Sequence, residues 1–252
     1  MKLATWNVNS LKMRMPRVLE FLELHQPDVL LLQETKAEDA AFPALELSGA
    51  GYTAVHHSAG RWAGVAILAR EEPQDPVAGL PGEVAEDEAR WVEATVGGVR
   101  IASVYVPNGR EVDSPTYFDK LRFYEAMAER VRAIDGPLIV AGDFNVCPTD
   151  LDVYDPAAFE GATHVTEPER ERFRAILDAG LIDSYRHLYK DEVGFTWWDY
   201  RAGHFHKKLG LRIDFVLVTP DLAERLVECG IDRNFRKGAK PSDHAPLLAE
   251  FR

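Results

Sequence analysis

Short apolar runs of four to seven residues recur along the chain. Each ends in a polar residue or glycine, and longer stretches of helical period lie between them. Lys2 to Trp6 predicts a strand, followed by Asn7-Val8-Asn9-Ser10. Met15, Val18, Leu19 and Leu22 share one face of a helix predicted over Met13 to His25, with Pro27 beyond its end. Asp28 to Gln33 predicts a buried strand. Tyr52 to His56 and Ala63 to Ala69 predict a strand pair across Ser58-Ala59-Gly60-Arg61. Glu71 to Glu88 is acidic and carries Pro73, Pro76 and Pro81, which predicts an exposed loop. Trp91 to Val96 and Val99 to Val106 bracket Gly97-Gly98 as a hairpin. Tyr117, Leu121, Tyr124, Ala128 and Val131 stripe a long helix over Pro115 to Arg132. Leu138 to Ala141, between Pro137 and Gly142, predicts a central strand. Asp150 to Glu167 reads as irregular, Glu169 to Ala179 as a helix closed by Gly180, and Phe195 to Tyr200 as an extended aromatic segment. Ile213 to Thr219 and Ala245 to Phe251 close the series as strands, with a short helix opened by Pro220. Strands alternating with helices and hairpins predict layered α/β with mixed sheets. No linker interrupts residues 1–252, so a single domain is expected.

The polar residues at the strand ends carry the chemistry. Asn7 follows the first strand and Glu34 the second; Tyr105 sits late in the hairpin's second arm. Asp143 and Asn145 follow the central strand and share one side if the chain stays extended. Asp214 opens a strand, and Asp243-His244 precedes the last one. Singly, each has an ordinary reading: a turn, a cap, a core tyrosine, an Asp214–Arg212 pair. Six such strand ends together suggest a ligand site, because strand ends are where α/β sheets bind ligands.

Composition narrows the chemistry. Forty-six per cent hydrophobic residues support a large core, and 41 acids against 29 bases leave a net charge of −12. That balance excludes a general polyanion-binding coat but not a local basic surface. Cys147 and Cys229 are the only cysteines, which points to a reducing compartment and to no disulfide framework. No apolar run reaches membrane-spanning length. There is no phosphate loop or dinucleotide fingerprint, no thiolate–histidine cluster for zinc, and no activating histidine near Cys147 in sequence. Carboxylates with amides suit Mg2+, with Mn2+ as the alternative. A hard cation, a water-orienting carboxylate and an acid-paired histidine describe metal-assisted phosphodiester hydrolysis.

Trp6-Asn7-Val8-Asn9, Gln33-Glu34-Thr35-Lys36, Tyr105-Val106-Pro107-Asn108, Gly142-Asp143-Phe144-Asn145, Arg212-Ile213-Asp214 and Pro241-Ser242-Asp243-His244-Ala245-Pro246 follow one another in that order. The chain thereby resembles, over essentially its whole length, the exonuclease III family of apurinic/apyrimidinic endonucleases. The resemblance implies a four-layer α/β sandwich, with two mixed β-sheets packed face to face and helices outside. It implies Glu34 as the main metal ligand, with Asn9 and Asp243 near the ion and Asn7 holding neighbouring carboxylates. It implies Asp143 as the group acting on the attacking water and Asn145 as its fixing partner. His244, paired with Asp214, would donate to the scissile phosphate, and Tyr105 would steady it. Two departures stand out: some relatives have Asp where this chain has Asn9, and some have Trp where it has Leu211. The implied activity is cleavage 5′ to abasic sites in double-stranded DNA, with 3′-5′ exonuclease and 3′-end cleaning, in base excision repair. A cytoplasmic monomer with no membrane partner is expected.

Two acid-free basic runs flank the proposed site: Arg201, Lys207, Lys208, Arg212, and then Arg233, Arg236, Lys237, Lys240. With Arg61, Asn108 and Arg110 they form the expected phosphate-contacting surface. Trp197, Phe205 and Leu211 are candidates for a pocket taking a sugar without its base, core packing being the plain reading of each. Two alternatives stay open: a lipid or sugar phosphatase of the same superfamily, and a DNA-binding regulator that has lost catalysis.

Overall fold

The computed structural model describes residues 1–82 and 88–252. The chain begins with β1 (Lys2–Asn7), α1 (Leu11–His25), β2 (Val29–Gln33), α2 (Ala44–Gly49), β3 (Thr53–His57) and β4 (Val65–Ala69). It continues through β5 (Gln74–Ala78), β6 (Trp91–Val96), β7 (Val99–Tyr105), α3 (Pro115–Arg132), β8 (Leu138–Asp143) and α4 (Glu167–Asp178). It ends with β9 (Ile182–Asp183), α5 (Ser184–Leu188), α6 (His204–Lys207), β10 (Asp214–Val218), α7 (Pro220–Ala223), β11 (Leu226–Ile231) and β12 (Leu247–Phe251). Two mixed six-stranded sheets result, ordered β11-β12-β1-β2-β4-β3 and β5-β6-β7-β8-β10-β9.

The strand pattern explains the layers. Side chains alternate faces along a strand, and here both faces are apolar. Leu3, Val29, Leu31, Val65 and Ile67 of the first sheet meet Val92, Ala94, Ile101, Ile139 and Val216 of the second in one buried cluster. On the outer face of the first sheet, Ala4, Trp6, Leu30 and Leu32 pack on Leu11, Met15, Val18 and Phe21 of α1. On the outer face of the second, Val104, Val140, Phe215 and Leu217 pack on Phe123, Tyr124 and Met127 of α3 and on Phe173 and Ile176 of α4. This is the expected four-layer α/β sandwich.

The helix starts follow their caps. Ser10 accepts the Met13 amide, so α1 begins at Leu11 rather than at Met13. The capping box of Thr166 and Glu169 starts α4 two residues earlier than the apolar stripe indicates.

Three sheet edges depart from the sequence reading. Part of the expected loop Glu71–Glu88 is the exposed edge strand β5, whose register shifts between Gln74 and Val77. An edge with a bulge is where a strand tolerates Pro76. Residues 83–87 of that expected loop lie outside the described residues. The other two are unpredicted edge strands: β11, pairing with β12, and the two-residue β9, pairing with β10.

Candidate active site

The second sheet lays its functional groups side by side. Asp143 at the end of β8 is in register with Tyr105 on parallel β7 and with Asp214 on antiparallel β10. The spacing of these strands depends on Gly142, where a Cβ would overlap the Val104 carbonyl on β7. The first sheet contributes Asn7 from the end of β1 and Glu34 just past β2, and the turn before β12 contributes Asp243 and His244.

Asn7 joins the two sheets: its Nδ2 donates to Glu34 Oε1 at 2.8 Å and to Asp143 Oδ2 at 2.9 Å. His244 Nδ1 is 2.8 Å from Asp214 Oδ2, and its Nε2 is 3.7 Å from Asp143 Oδ2. The Asn145 amide N–H donates to Asp143 Oδ1 at 2.9 Å, and Asn145 Nδ2 donates to the Val106 carbonyl at 2.9 Å. Asn145 thus retains one amide hydrogen. Asp243 accepts from Asn9 Nδ2 at 3.1 Å and from Trp197 Nε1 at 3.0 Å. Glu34, Tyr105, Asp143, Asn145, Trp197, Asp243 and His244, with Asn108, Phe159, His164, Leu211 and Ile213, line a pocket of about 230 Å3.

The electrostatics are unbalanced. Four carboxylates, Glu34, Asp143, Asp214 and Asp243, face two directly contacting cations, Lys36 and His244. Burial pushes Asp143 up to about 7; His244 and Asn7 oppose this, while Asp214 and Glu34 add to it. Burial would lower His244, but Asp214 and Asp143 outweigh it and raise the imidazole to about 10. Asp243, although half-buried, is held below the usual carboxylate range by His244 and its hydrogen-bond donors. Burial, reinforced by Glu34 and Asp143, keeps Tyr105 a neutral phenol.

The donor set fits a hard divalent cation. One ligand atom each from Glu34, Asp143 and His244 lies within 4.8 Å of the others. The Lys36 ammonium sits between Glu34 Oε2, at 2.8 Å, and Asn9 Oδ1, at 2.6 Å, so these oxygens already gather positive charge. The surplus carboxylates give a divalent ion a matching counter-charge, and oxygen donors are what such ions prefer.

The predicted surface residues divide into two groups. Arg61, Asn108, Arg110, Arg201, Lys207, Lys208, Lys237 and Lys240 are exposed. Asn108 and Arg110, with Lys36, Trp62, Arg90 and Tyr105, line a second cavity of about 550 Å3 that shares Glu34, Tyr105 and Asn108 with the first. Trp197 and Leu211 line the central pocket. Phe205 instead packs edge-on against Trp198 at 5.0 Å, which is the core reading.

Two expected phosphate contacts are corrected: Arg236, which is buried and donates to the Trp198 carbonyl, and Arg212. Arg212 is 1% exposed, with Nε 2.7 Å from Asp152 and Nη1 2.8 Å from Asp183, so it cannot reach a phosphate. Asp214 pairs with His244, not with Arg212. Cys147 is buried and its thiol is pushed upward by burial and Asp152, consistent with no nucleophilic role.

Sequence reasoning missed Lys36, His164 and Lys120. Lys36 sits within a motif already quoted, two residues after Glu34. His164 Nε2 lies 3.1 Å from Asn145 Oδ1; burial and Lys120 push its pKa far down, so it is neutral. Neither His164 nor Lys120 adjoins a strand end, so no local pattern marks them.

Residues 4–244 match the endonuclease/exonuclease/phosphatase family, and the chain belongs to that family. Within it, the chain stands with the exonuclease III type of AP endonuclease. Exodeoxyribonuclease III of Haemophilus influenzae is 34% identical over 267 residues, covering 100% of both chains. The structure is similar to that of an AP endonuclease from Archaeoglobus fulgidus, with a TM-score of 0.97 and 37% identity over 100% of this chain and 99% of that one. It is equally similar to the 3′ phosphatase NExo from Neisseria bound to a product DNA hairpin, with a TM-score of 0.98 and 42% identity over 100% and 99% of the two chains. Among the described residues, no helix is long and apolar enough to cross a membrane.

Proposed function

We propose that this protein is a Mg2+-dependent DNA repair nuclease, working as one catalytic domain and a cytoplasmic monomer. It hydrolyses the phosphodiester 5′ to abasic sites in double-stranded DNA and trims 3′ ends, in base excision repair. The observation that carries this reading is the convergence of Glu34, Asp143 and the Asp214–His244 pair from both sheets on one small pocket. Glu34, with Asn9 and Asp243 beside it, would hold the ion. When bound, a divalent cation supplies charge neutralisation to an anionic phosphodiester.

The remaining steps belong to side chains. Asp143, with a pKa near the working pH, accepts the proton of the attacking water. Asn145 gives its free amide hydrogen to that water or to a phosphate oxygen. Protonated His244, oriented by Asp214, donates from Nε2 to the phosphoryl oxygen as charge builds. Tyr105, a neutral donor beside Glu34, steadies a second oxygen. Asn108, Arg110, Arg61 and the lysines Lys207, Lys208, Lys237 and Lys240, with Arg201, supply phosphate contacts along the duplex. Trp197 and Leu211 wall the space for the sugar.

A second reading gives 3′-phosphate removal the larger share. It is favoured by the NExo likeness at 42% identity and by His164 and Phe159 standing in the pocket wall. A terminal phosphate does not require a whole abasic sugar to enter.

One assay tests both readings. Duplexes carrying an abasic site, or a nick with a 3′-phosphate, are incubated with Mg2+ or EDTA, and products are mapped. Mg2+-dependent incision 5′ to the abasic site supports the first reading. Phosphate release without incision supports the second. Binding without either product overturns the nuclease assignment.

A further inference from the structure

Besides Glu34, two residues in the pocket wall sit in the left-handed backbone region: Asn145 at φ 50° and His164 at φ 82°. For residues with a side chain this conformation costs free energy, and it persists only where the surroundings enforce it. Their side chains meet at 3.1 Å, and Asn108 Nδ2 joins them by donating to Asn145 Oδ1 at 3.2 Å.

The backbone of each is held by one member of a single buried ion pair. Lys120, in the second turn of α3, and Glu169, in the first turn of α4, are both 0% exposed and bonded to each other. Lys120 Nζ also donates to the Asn145 carbonyl at 2.7 Å and the Asn108 carbonyl at 3.2 Å. An ammonium has three hydrogens, and these three acceptors use them all. Glu169 Oε1 accepts the His164 amide at 3.0 Å, while its Oε2 accepts from Thr166 N at 3.1 Å and Oγ1 at 2.7 Å. The loops are further tied by Cys147 N donating to the His164 carbonyl at 2.7 Å. A buried ion pair gives little net stability over an apolar pair of similar volume. What an apolar pair could not do is hold these loop carbonyls and amides.

We propose that Lys120 and Glu169 are positioning residues: their ion pair fixes Asn145, Asn108 and His164 as one rigid wall of the pocket. The role in turnover rests on the nuclease reading above; the mechanical role does not. Neither side chain lines the pocket, so neither is catalytic.

The test combines single-turnover cleavage, duplex affinity and amide hydrogen exchange on Lys120→Met and Glu169→Gln. Misplacing a fixed group by about 1 Å costs roughly a hundredfold in rate. Lys120→Met is therefore expected to slow the cleavage step about a hundredfold, with duplex affinity changed less than about threefold. If the pair acts through Asn145, Lys120→Met in an Asn145→Ala background adds less than about threefold. Fully multiplying losses overturn the proposal, as does weakened binding with an unchanged cleavage rate. In the metal-free protein, the Asn145 and Cys147 amides should exchange at least about tenfold faster in the variant, with Ile139 to Ala141 unaffected. Unchanged exchange overturns the proposal whether or not the enzyme cuts DNA. A wild type that cuts neither duplex removes the nuclease reading and leaves exchange to decide alone. If Lys120→Met does not fold, Glu169→Gln, which keeps an acceptor for the His164 amide, is read by the same criteria.

Discussion

Two buried charge clusters lie two residues apart on the same stretch of chain, and they behave in opposite ways. Around Arg212 the charges balance: Arg212 and Arg186 face Asp152 and Asp183. Around Asp214 they do not: four carboxylates share Lys36 and His244. Burial alone would raise Asp152 in the first cluster and Asp143 in the second. At Asp152 the two arginines outweigh it and hold the carboxyl below its usual value, whereas Asp143 is left at about 7. Oδ1 of Asp214 is also buried without a partner. The balanced cluster is arranged for stability; the unbalanced one stores a demand for positive charge.

Substitutions that separate catalysis from stability test this contrast most severely. Asp143→Asn is expected to lower turnover by about 10^2 to 10^4 and to raise the thermal midpoint of the metal-free protein at pH 8. His244→Ala should cost on the order of a hundredfold. Near-wild-type turnover in steady-state assays would remove either assignment. Arg212→Met should do the reverse. Removing the arginine that Asp152 and Asp183 share leaves Asp152 with Arg186 alone and Asp183 without its guanidinium, and costs about 3–5 kcal/mol in denaturant unfolding, while turnover per folded molecule stays within about threefold. A large catalytic defect in folded Arg212→Met would erase the distinction between the clusters.

The clusters should also answer pH in opposite senses. Asp143 and His244 both have raised native values. The contribution of Asp143 is full below about pH 4 and fades as pH rises through 7; that of His244 is full below about 6.5 and fades towards 10. Asp152 is lowered, so its contribution is present above about pH 4 and is lost as pH falls further. The metal-free protein should therefore lose midpoint temperature as pH rises from 5.5 to 8. Mg2+ should restore more at pH 8, where no proton competes for Asp143. Equal Mg2+ shifts at both values in scanning calorimetry would count against an ion held at Glu34 in contact with the charge of Asp143. The smallest effect is expected at the surface. Lys237→Ala or Lys240→Ala should each reduce the salt dependence of duplex binding by about one ion, with cleavage of bound duplex unchanged.

The sequence made the strand-end groups legible because each adjoins an apolar run whose end can be read locally. Asn7, Glu34, Tyr105, Asp143, Asp214 and His244 all have that property, and the structure brings them together. Arg212 was misread because charge in a sequence says nothing of burial; its partners are 60 and 29 residues away. His164 and Lys120 were invisible for a related reason. Lys120 acts through backbone carbonyls of distant loops, and the His164 side chain reaches Asn145 from a loop 19 residues on, which no local pattern encodes. The edge strand β5 was hidden by Pro76, which a strand accepts at an edge or a bulge but not in the middle of a sheet.

Asn7 donates to Glu34 on one side and Asp143 on the other, so a single amide spans the seam between the sheets. Neither half of the sandwich owns a working centre. Cleavage is thus an all-or-nothing gauge of assembly: a partly unfolded form with one sheet peeled away would keep much of its secondary structure and none of its chemistry.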